Sequence, residues 1–147
     1  MFAASSYGAG GGAVKLSKDA NNAITAKEIY SSKKMQNHHG GMVVVDGYLY
    51  GFGSGGLICL DFKSGRLEWQ NRSVGKGSLT YADGHLYCLG ENHEVALVEA
   101  NSNKYVETGR FRIADSGLSS WAHPVVANGR LYLRDQEKLT CYDIRQK

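Results

Sequence analysis

The sequence predicts an all-β protein built from short antiparallel strands joined by tight turns. Glycine accounts for 19 of the 147 residues, proline for one and tyrosine for nine. This composition favours turns between strands over a flexible linker or a helical bundle, because glycine supplies turn conformations and aromatic residues suit strands. No long segment shows the period of an amphipathic helix. We therefore expect a single sheet-rich domain over residues 1–147.

Three predicted hairpins repeat along the chain. Asp46–Tyr50 (DGYLY) recurs as Asp83–Tyr87 (DGHLY) and as Asn128–Tyr132 (NGRLY). Asp-Gly and Asn-Gly pairs populate the left-handed backbone angles of a type I′ turn, which connects the two strands of a hairpin. The glycines of successive copies lie 37 and then 45 positions apart. This spacing indicates a structural repeat of about 40 residues.

A further pair of strands completes each repeat. The apolar stretch Leu57–Asp61 (LICLD) matches Val95–Glu99 and Leu139–Asp143, and each copy ends in an acidic residue. After the first copy, a turn at 63–65 leads into a fourth strand, Arg66–Trp69. Four antiparallel strands in about 40 residues are typical of one blade of a β-propeller.

The two ends of the chain are incomplete copies of this unit. The N-terminal segment lacks the innermost strand, and the C-terminal copy ends before its fourth strand. The sequence therefore predicts 3, 4, 4 and 3 strands in four propeller blades, with approximate bounds 2–33, 42–71, 79–112 and 124–144.

The segment Val44–Trp69 resembles the pyrroloquinoline-quinone-type (PQQ-like) propeller repeat. That repeat reads V-x-G-x-V-Y and then A-L-D-x-x-T-G-x-x-x-W, and the resemblance extends over nearly the whole chain. It implies a β-propeller that looks like the C-terminal half of a longer propeller protein. The family includes quinoprotein alcohol dehydrogenases and non-enzymatic relatives, among them a lipoprotein that helps assemble outer-membrane barrels. The fold alone does not decide between an enzyme and a binding module.

The resemblance implies a structural role for five residues. At the family's docking-tryptophan position an aromatic ring wedges between neighbouring blades, and Trp69, Tyr30 and Phe111 are assigned to this position. Asp61 and Gly65 bracket the turn that supports the ring. Burying one such ring removes about 150–250 Å² from water, which stabilises the fold by about 4 kcal/mol before entropy is counted. These residues are expected to hold blades together and to have no part in catalysis.

Polar and aromatic residues precede the predicted innermost strands. Counted back from the hairpin glycines, His39, Lys76 and Trp121 are equivalent, and His38 and His123 lie beside them. Such residues surround the mouth of a propeller's central channel, and a concave polar and aromatic mouth favours ligand binding. We expect a small ligand or a peptide segment to bind there, unless the histidines only bond loop backbone. The turns between second and third strands add five rim residues: Tyr7, Asn92, His93, Asp135 and Gln136.

The motifs of catalysis are missing. Gly51–Gly56 matches G-x-G-x-x-G, but a strand follows where a dinucleotide site needs a helix. A metal site at His38, His39 and His123 lacks a carboxylate, and no carboxylate cluster marks the mouth. We therefore predict no catalytic residue, cofactor or metal, and lean against an enzyme. The alternative is a partner-dependent or vestigial PQQ-dependent quinoprotein oxidoreductase, which would bind PQQ and calcium.

Charge and hydropathy limit the partners. The net charge is +3 with no block of like charges, which argues against nucleic-acid binding. The longest apolar run, Met42–Val45, is far shorter than the ~20 residues of a membrane helix. No signal peptide is visible, although relatives are often exported, so the compartment stays open. Cys59, Cys88 and Cys141 contain no C-x-x-C pair and are interpreted as free, core-facing thiols.

Four blades correspond to half of an eight-bladed ring. An open half-ring exposes two blade flanks, expected to be rich in apolar and aromatic side chains, and such patches indicate a partner. Two copies related by a two-fold axis close one full ring, so we predict a homodimer. A closed four-bladed monomer and a piece completed by another polypeptide are the alternatives. The leading function is a non-enzymatic binding scaffold, and a purely structural half-ring is a further possibility.

Overall fold

The protein is described here by a computed structural model that covers residues 1–145, and its regular structure consists of β-strands throughout these residues. In chain order the strands are β1 (Phe2–Ser5), β2 (Gly10–Lys18), β3 (Ile24–Ser32), β4 (Met42–Val45), β5 (Tyr48–Gly53), β6 (Gly56–Asp61), β7 (Leu67–Asn71), β8 (Gly77–Ala82), β9 (His85–Gly90), β10 (Glu94–Glu99), β11 (Glu107–Arg112), β12 (Val125–Ala127), β13 (Arg130–Asp135) and β14 (Lys138–Asp143).

These strands form four antiparallel sheets in which neighbours in sequence are neighbours in space. The sheets are β1-β2-β3, β4-β5-β6-β7, β8-β9-β10-β11 and β12-β13-β14. The predicted all-β fold with 3, 4, 4 and 3 strands is thereby confirmed, and we call the sheets blades 1 to 4. The described residues hold no helix with the length and apolar character to cross a membrane.

The predicted hairpin turns are present in blades 2, 3 and 4. Asp46, Asp83 and Asn128 have φ values of 49°, 46° and 51°, and the glycine after each also has a positive φ. Two successive left-handed residues define a type I′ turn, whose twist matches that of the flanking strands. The turns fix the pairing of β4 with β5, β8 with β9 and β12 with β13.

In blades 1, 2 and 3 one row of side chains faces the next blade along the chain, and blade 4 has the equivalent row. Because alternate residues of a strand point to opposite faces, the strand register aligns these rows. They are Phe2, Ala13 and Tyr30 in blade 1; Tyr50, Cys59 and Trp69 in blade 2; Tyr87, Leu97 and Gly109 in blade 3; and Tyr132 and Cys141 in blade 4.

Two aromatic rings dock between blades at the position that the family resemblance implies. The Trp69 indole N–H donates to the Asn101 carbonyl of blade 3 at 2.7 Å. The Tyr30 hydroxyl donates to the Phe62 carbonyl of blade 2 at 2.9 Å. A Cβ atom on Gly65 would overlap the Tyr30 ring, so a glycine is needed there.

Asp61 closes the turn beneath the docked Tyr30 ring. Its Oδ1 atom accepts hydrogen bonds from the Ser64 hydroxyl at 2.7 Å and from the Ser64 and Lys63 backbone N–H groups at 2.8 and 3.1 Å. These bonds stabilise the charged carboxylate and lower the pKa of Asp61. The acidic residue at the end of β6 therefore shapes the β6–β7 connection.

Phe111 does not occupy the predicted docking position. Gly109 pairs with Leu97 as Trp69 pairs with Cys59, and Phe111 lies two residues further along β11. The connection before β11 is two residues longer than the one before β7, so the docking register falls on Gly109, ten residues after Glu99, whereas Trp69 follows Asp61 by eight. The Phe111 ring still reaches blade 4, where its centroid lies 5.1 Å from that of Tyr142.

Three apolar clusters join consecutive blades. The first packs Met35, Leu49, Ile58 and Leu60 against Phe2 of blade 1. The second joins blades 2 and 3 and includes the docked Trp69 ring, and the third joins blades 3 and 4. Within residues 1–145, no such cluster joins blade 4 to blade 1. The four blades therefore form an open arc of a propeller.

The two ends of the arc differ in side-chain size. Blade 4 exposes Val125 and Leu139 on the face that carries Tyr132 and Cys141. At the opposite end, on blade 1, the row Ala3, Gly12 and Ser31 is small and contains no aromatic residue, and the exposed apolar residues Leu16 and Ile24 lie further along β2 and β3 on the same face. The expectation of three core-facing thiols is wrong for Cys141, which is exposed because its row faces the open flank, whereas Cys59 and Cys88 are buried.

Candidate functional site

The segments that precede the innermost strands β4, β8 and β12 meet at one end of the arc. The Leu79 N–H donates to the Gly40 carbonyl at 3.1 Å, which joins blade 3 to blade 2. The Ser78 hydroxyl donates to the Ala122 carbonyl at 2.8 Å, and the His123 ring donates through Nε2 to the His39 carbonyl at 2.7 Å. These bonds hold the predicted mouth residues of three blades together.

The centre of this mouth is the carboxylate of Glu91. Its Oε1 atom lies 2.8 Å from His39 Nε2, 2.9 Å from Lys76 Nζ and 3.1 Å from the Trp121 indole nitrogen. The three predicted residues that occupy equivalent repeat positions therefore contact one oxygen atom. We call Glu91, His39, Lys76 and Trp121 the mouth cluster.

The environment of Glu91 keeps its carboxylate charged. Partial burial opposes ionisation, but the hydrogen bonds from Lys76 and His39 outweigh it and lower the pKa of Glu91. The backbone of Glu91 is fixed as well, since its N–H donates to the Lys76 carbonyl at 2.9 Å and its carbonyl accepts from the Ser120 N–H at 3.2 Å. The mouth cluster is thus a preorganised group of polar side chains.

An aromatic row extends from the mouth cluster towards blade 1. The Tyr7 hydroxyl lies 2.8 Å from His38 Nε2. Ring centroids are 5.0 Å apart for Tyr7 and His38, 5.3 Å for His38 and His39, and 6.1 Å for His39 and Trp121. Tyr7 and Trp121 at the two ends are 87% and 62% exposed. All five predicted mouth residues, including His123, are therefore brought together.

The other predicted rim residues have different surroundings. His93 and Asp135 are buried, with His93 Nε2 at 3.3 Å from Asp135 Oδ2, so they form a pair beneath the rim. Asn92 accepts from the Glu94 N–H within its own turn at 3.3 Å. Gln136 donates to the Ser119 carbonyl at 3.1 Å. These residues shape the rim, whereas Tyr7 belongs to the exposed aromatic row.

A cavity of about 320 Å³ lies on the blade 4 side of the mouth. Trp121 and Arg134 supply an indole ring and a guanidinium group to its wall. The Arg134 Nε atom donates to the Gln136 carbonyl at 2.8 Å, and this hydrogen bond fixes the position of the guanidinium group at its Nε end. The remaining lining residues are Ser119, Ala122 and Gln136. A ring surface beside a cation suits a ligand with an apolar part and an acidic group.

His38, His39 and Glu91 bring three metal-ligating groups within 4.8 Å of one another. Two imidazoles and one carboxylate suit a transition metal such as zinc more than calcium. The Lys76 ammonium lies 2.9 Å from the same carboxylate oxygen and opposes a cation there. That the protein binds no metal therefore stays a prediction from the sequence.

The sequence matches a known protein family over most of its length. The family model PQQ_2, which is described as "Outer membrane protein assembly factor BamB", matches residues 14–146. The chain belongs to this family. No curated protein matches the sequence.

Two solved structures show the same fold as this PQQ_2 chain. BamB from Moraxella catarrhalis is 12% identical with a TM-score of 0.59, over 79% of this chain and 34% of that one. A europium-containing methanol dehydrogenase is 22% identical with a TM-score of 0.56, over 74% of this chain and 23% of that one. The chain thus spans about a third and a quarter of their lengths, and at these identities the likeness concerns the fold.

The mouth residues do not fit the PQQ and calcium site that the alternative of a quinoprotein oxidoreductase implies. Calcium takes roughly six to eight oxygen ligands. Among the described residues of the mouth cluster, Glu91 is the single carboxylate, and its Oε1 is already bonded to His39, Lys76 and Trp121. Asp135 is buried beside His93 beneath the rim. These residues offer nitrogen donors and a cation where oxygen ligands are needed.

Sequence reasoning missed Glu91 and Arg134. Both lie at the ends of the second strands of their blades, next to the predicted rim residues Asn92, His93 and Asp135. Glu91 follows Gly90 in the β9–β10 turn, which has three residues and ends with His93 at a φ of 69°. The one signal in the sequence for Glu91 is that it directly precedes the predicted rim residues Asn92 and His93. Its three bonding partners come from distant segments and became visible only in the fold.

Proposed function

We propose that this chain is a non-enzymatic β-propeller scaffold that assembles through its open flanks as a homodimer and binds a ligand at its mouth. The observation that carries the proposal is the open arc. Three apolar clusters join consecutive blades, and within residues 1–145 none joins blade 4 to blade 1. The outer faces of blades 1 and 4 are therefore uncovered in the arc. This favours a partner, because propellers protect their sheets by closing a ring.

The side chains at the two ends of the arc support a head-to-tail contact. The blade 4 flank is bulky and apolar, with Leu139 68% exposed and Val125 53% exposed. The blade 1 flank carries the small residues Ala3 and Gly12 beside the exposed apolar Leu16 and Ile24. A two-fold axis would place each blade 4 flank on the blade 1 flank of the other copy, so that two arcs of four blades form one ring.

Light scattering after size-exclusion chromatography tests the assembly. We expect the mass of two chains for the wild type and of one chain for Leu139→Glu or Ala3→Arg, because each places a charge in the proposed contact. Leu118→Glu is the matched control, since Leu118 is 63% exposed outside the strands and should leave the dimer intact. A wild-type chain that is a stable monomer at high concentration would refute the homodimer.

The binding part of the proposal rests on the mouth cluster and its neighbouring cavity. His39, Lys76 and Trp121 are fixed by Glu91, so their side chains need little reordering when a ligand arrives. Trp121 offers an exposed ring, and Arg134 offers a guanidinium group in the same cavity. We infer that the ligand is a peptide segment or a small molecule with a carboxylate and an apolar group.

A tripeptide that ends in a Phe carboxylate is a suitable probe, with its C-terminal amide as the uncharged comparison. We expect the acid to shift the NMR signal of the Trp121 indole N–H and to bind more tightly than the amide. Trp121→Ala, His39→Ala and Arg134→Ala should weaken this binding, whereas Arg66→Ala, on blade 2 away from the cavity, should not. Equal binding of both peptides by all variants would refute the mouth as the site, and this result is independent of the dimer test.

A further inference from the structure

The three contacts between consecutive blades are equivalent in register but are filled differently. Between blades 1 and 2 the Tyr30 ring occupies the gap, and between blades 2 and 3 the Trp69 ring does so. Each ring belongs to the row that faces the next blade. In blade 3 the same register position is held by Gly109, opposite Leu97. The third gap therefore has no side chain at the docking position.

A cavity of about 300 Å³ lies in this third gap. Its wall is predominantly apolar, with side chains from both blades that include Leu97 and Tyr87 of blade 3 and Leu131 of blade 4. The cavity also borders Phe111 and Ile144. Phe111 lies at one side and does not fill the space, because it is displaced by two residues along β11.

The two filled gaps indicate which chemical group suits the third. Tyr30 and Trp69 each donate one hydrogen bond to a backbone carbonyl in the turn that follows the third strand of the next blade, at Phe62 and at Asn101. In blade 4 the corresponding chain segment follows Asp143, and Ile144 in this segment lines the cavity. In two of the three gaps the chain itself thus supplies an aromatic ring with one hydrogen-bond donor.

We propose that the gap between blades 3 and 4 is a binding site for a small aromatic molecule with one hydrogen-bond donor, of the size of indole. The apolar walls would take the ring, and the backbone after Asp143 would accept the donor, as in the other two gaps. A preformed apolar cavity of this kind binds aromatic molecules without rearrangement of its walls. The site is separate from the mouth cluster, and the inference does not depend on the proposed function.

Titration of the full chain with indole and with 1-methylindole tests the inference. We expect indole to bind saturably and 1-methylindole to bind about tenfold more weakly, because the methyl group removes the donor and one hydrogen bond. Intermolecular NOEs from indole protons to the methyl groups of Leu131 and Ile144 should locate the ligand. NOEs confined to mouth residues, or the absence of saturable binding, would overturn the proposal.

A pair of matched variants identifies the site. Gly109→Trp would place an indole in the gap, since a Cβ atom at Gly109 meets only the Leu97 Cβ, at 3.8 Å. We expect this variant to lose indole binding and to melt at a higher temperature. Arg112→Trp adds the same ring to the opposite face of β11 and should keep the binding. If Gly109→Trp does not fold, Leu97→Phe narrows the cavity from β10 for the same test. Unchanged indole affinity in the filled variant would refute the site.

Discussion

Glu91 organises the mouth through one carboxylate oxygen. His39, Lys76 and Trp121 come from the segments before three different innermost strands, and each contacts Oε1. Removal of that oxygen would leave three polar groups without their shared partner, and groups that lose a hydrogen bond in a partly buried place destabilise the fold. The mouth is therefore a polar junction between blades 2, 3 and 4 as well as a candidate ligand site.

The lowered pKa of Glu91 predicts how the stability of the protein depends on pH. Because the pKa is lower in the folded state than its ordinary value of 4.5, the contribution of Glu91 is full above that value and is lost as the pH falls through the folded pKa. Glu91→Gln should lower the free energy of unfolding at pH 7 and should lessen its dependence on pH in the acid range. Urea unfolding at about pH 3 to 7 and at one protein concentration measures this.

Glu28→Gln is the control for the pH experiment, since Glu28 is exposed on β3. It should unfold like the wild type throughout the pH range. A difference between Glu91→Gln and the wild type that stays constant as the pH falls would contradict the prediction, because it would show that the charge of Glu91 has no part in the effect.

At the scale of the strand and the turn, the sequence predicted most of the fold. Asp-Gly and Asn-Gly determine their own backbone angles, so the hairpins at Asp46, Asp83 and Asn128 followed from local chemistry. The position of Phe111 did not, because the length of the β10–β11 connection sets the register of β11, and the sequence carries no local signal for that register. The contacts of Glu91 did not either, since they join residues that only the packing of three blades brings together.

Because the Tyr30 ring packs against one of two glycines with similar backbone angles, we predict that substitution of each by alanine destabilises the protein to a different extent. Gly47 has a φ of 84° with open space around it, so Gly47→Ala should cost about 1 kcal/mol from backbone strain alone. Gly65 has a φ of 72°, and a Cβ atom there would overlap the Tyr30 ring. Gly65→Ala should therefore cost about 1–3 kcal/mol more than Gly47→Ala. Chemical denaturation measures both values.

The difference between the two glycines has its own control. In a Tyr30→Ala background the ring is absent, so Gly65→Ala and Gly47→Ala should become similar in cost. An extra cost of Gly65→Ala that persists without the ring would show that Tyr30 does not dock on this turn.

At the scale of the whole molecule, each blade presents one row of side chains to the next blade, and the last row has no described neighbour. Tyr50 and Cys59 in blade 2 correspond to Tyr132 and Cys141 in blade 4. Cys59 is buried against blade 3, and burial raises the pKa of its thiol to about 11. Cys141 differs from Cys59 because no blade covers its row in the arc. The proposed homodimer would restore this cover.

Thiol labelling therefore reports on closure of the ring. At pH 8 a single chain should react quickly with a disulfide reagent at Cys141 alone, because Cys59 and Cys88 are buried. Under the homodimer proposal the rate at Cys141 should fall as the protein concentration rises, and Ala3→Arg should restore the fast rate by displacing the partner's blade 1. Cys141→Ser should abolish the fast reaction in every sample, which assigns it to this thiol. A Cys141 rate that is the same at all concentrations and in Ala3→Arg would mean that the row beside Tyr132 stays uncovered, and the eight-bladed ring would be excluded.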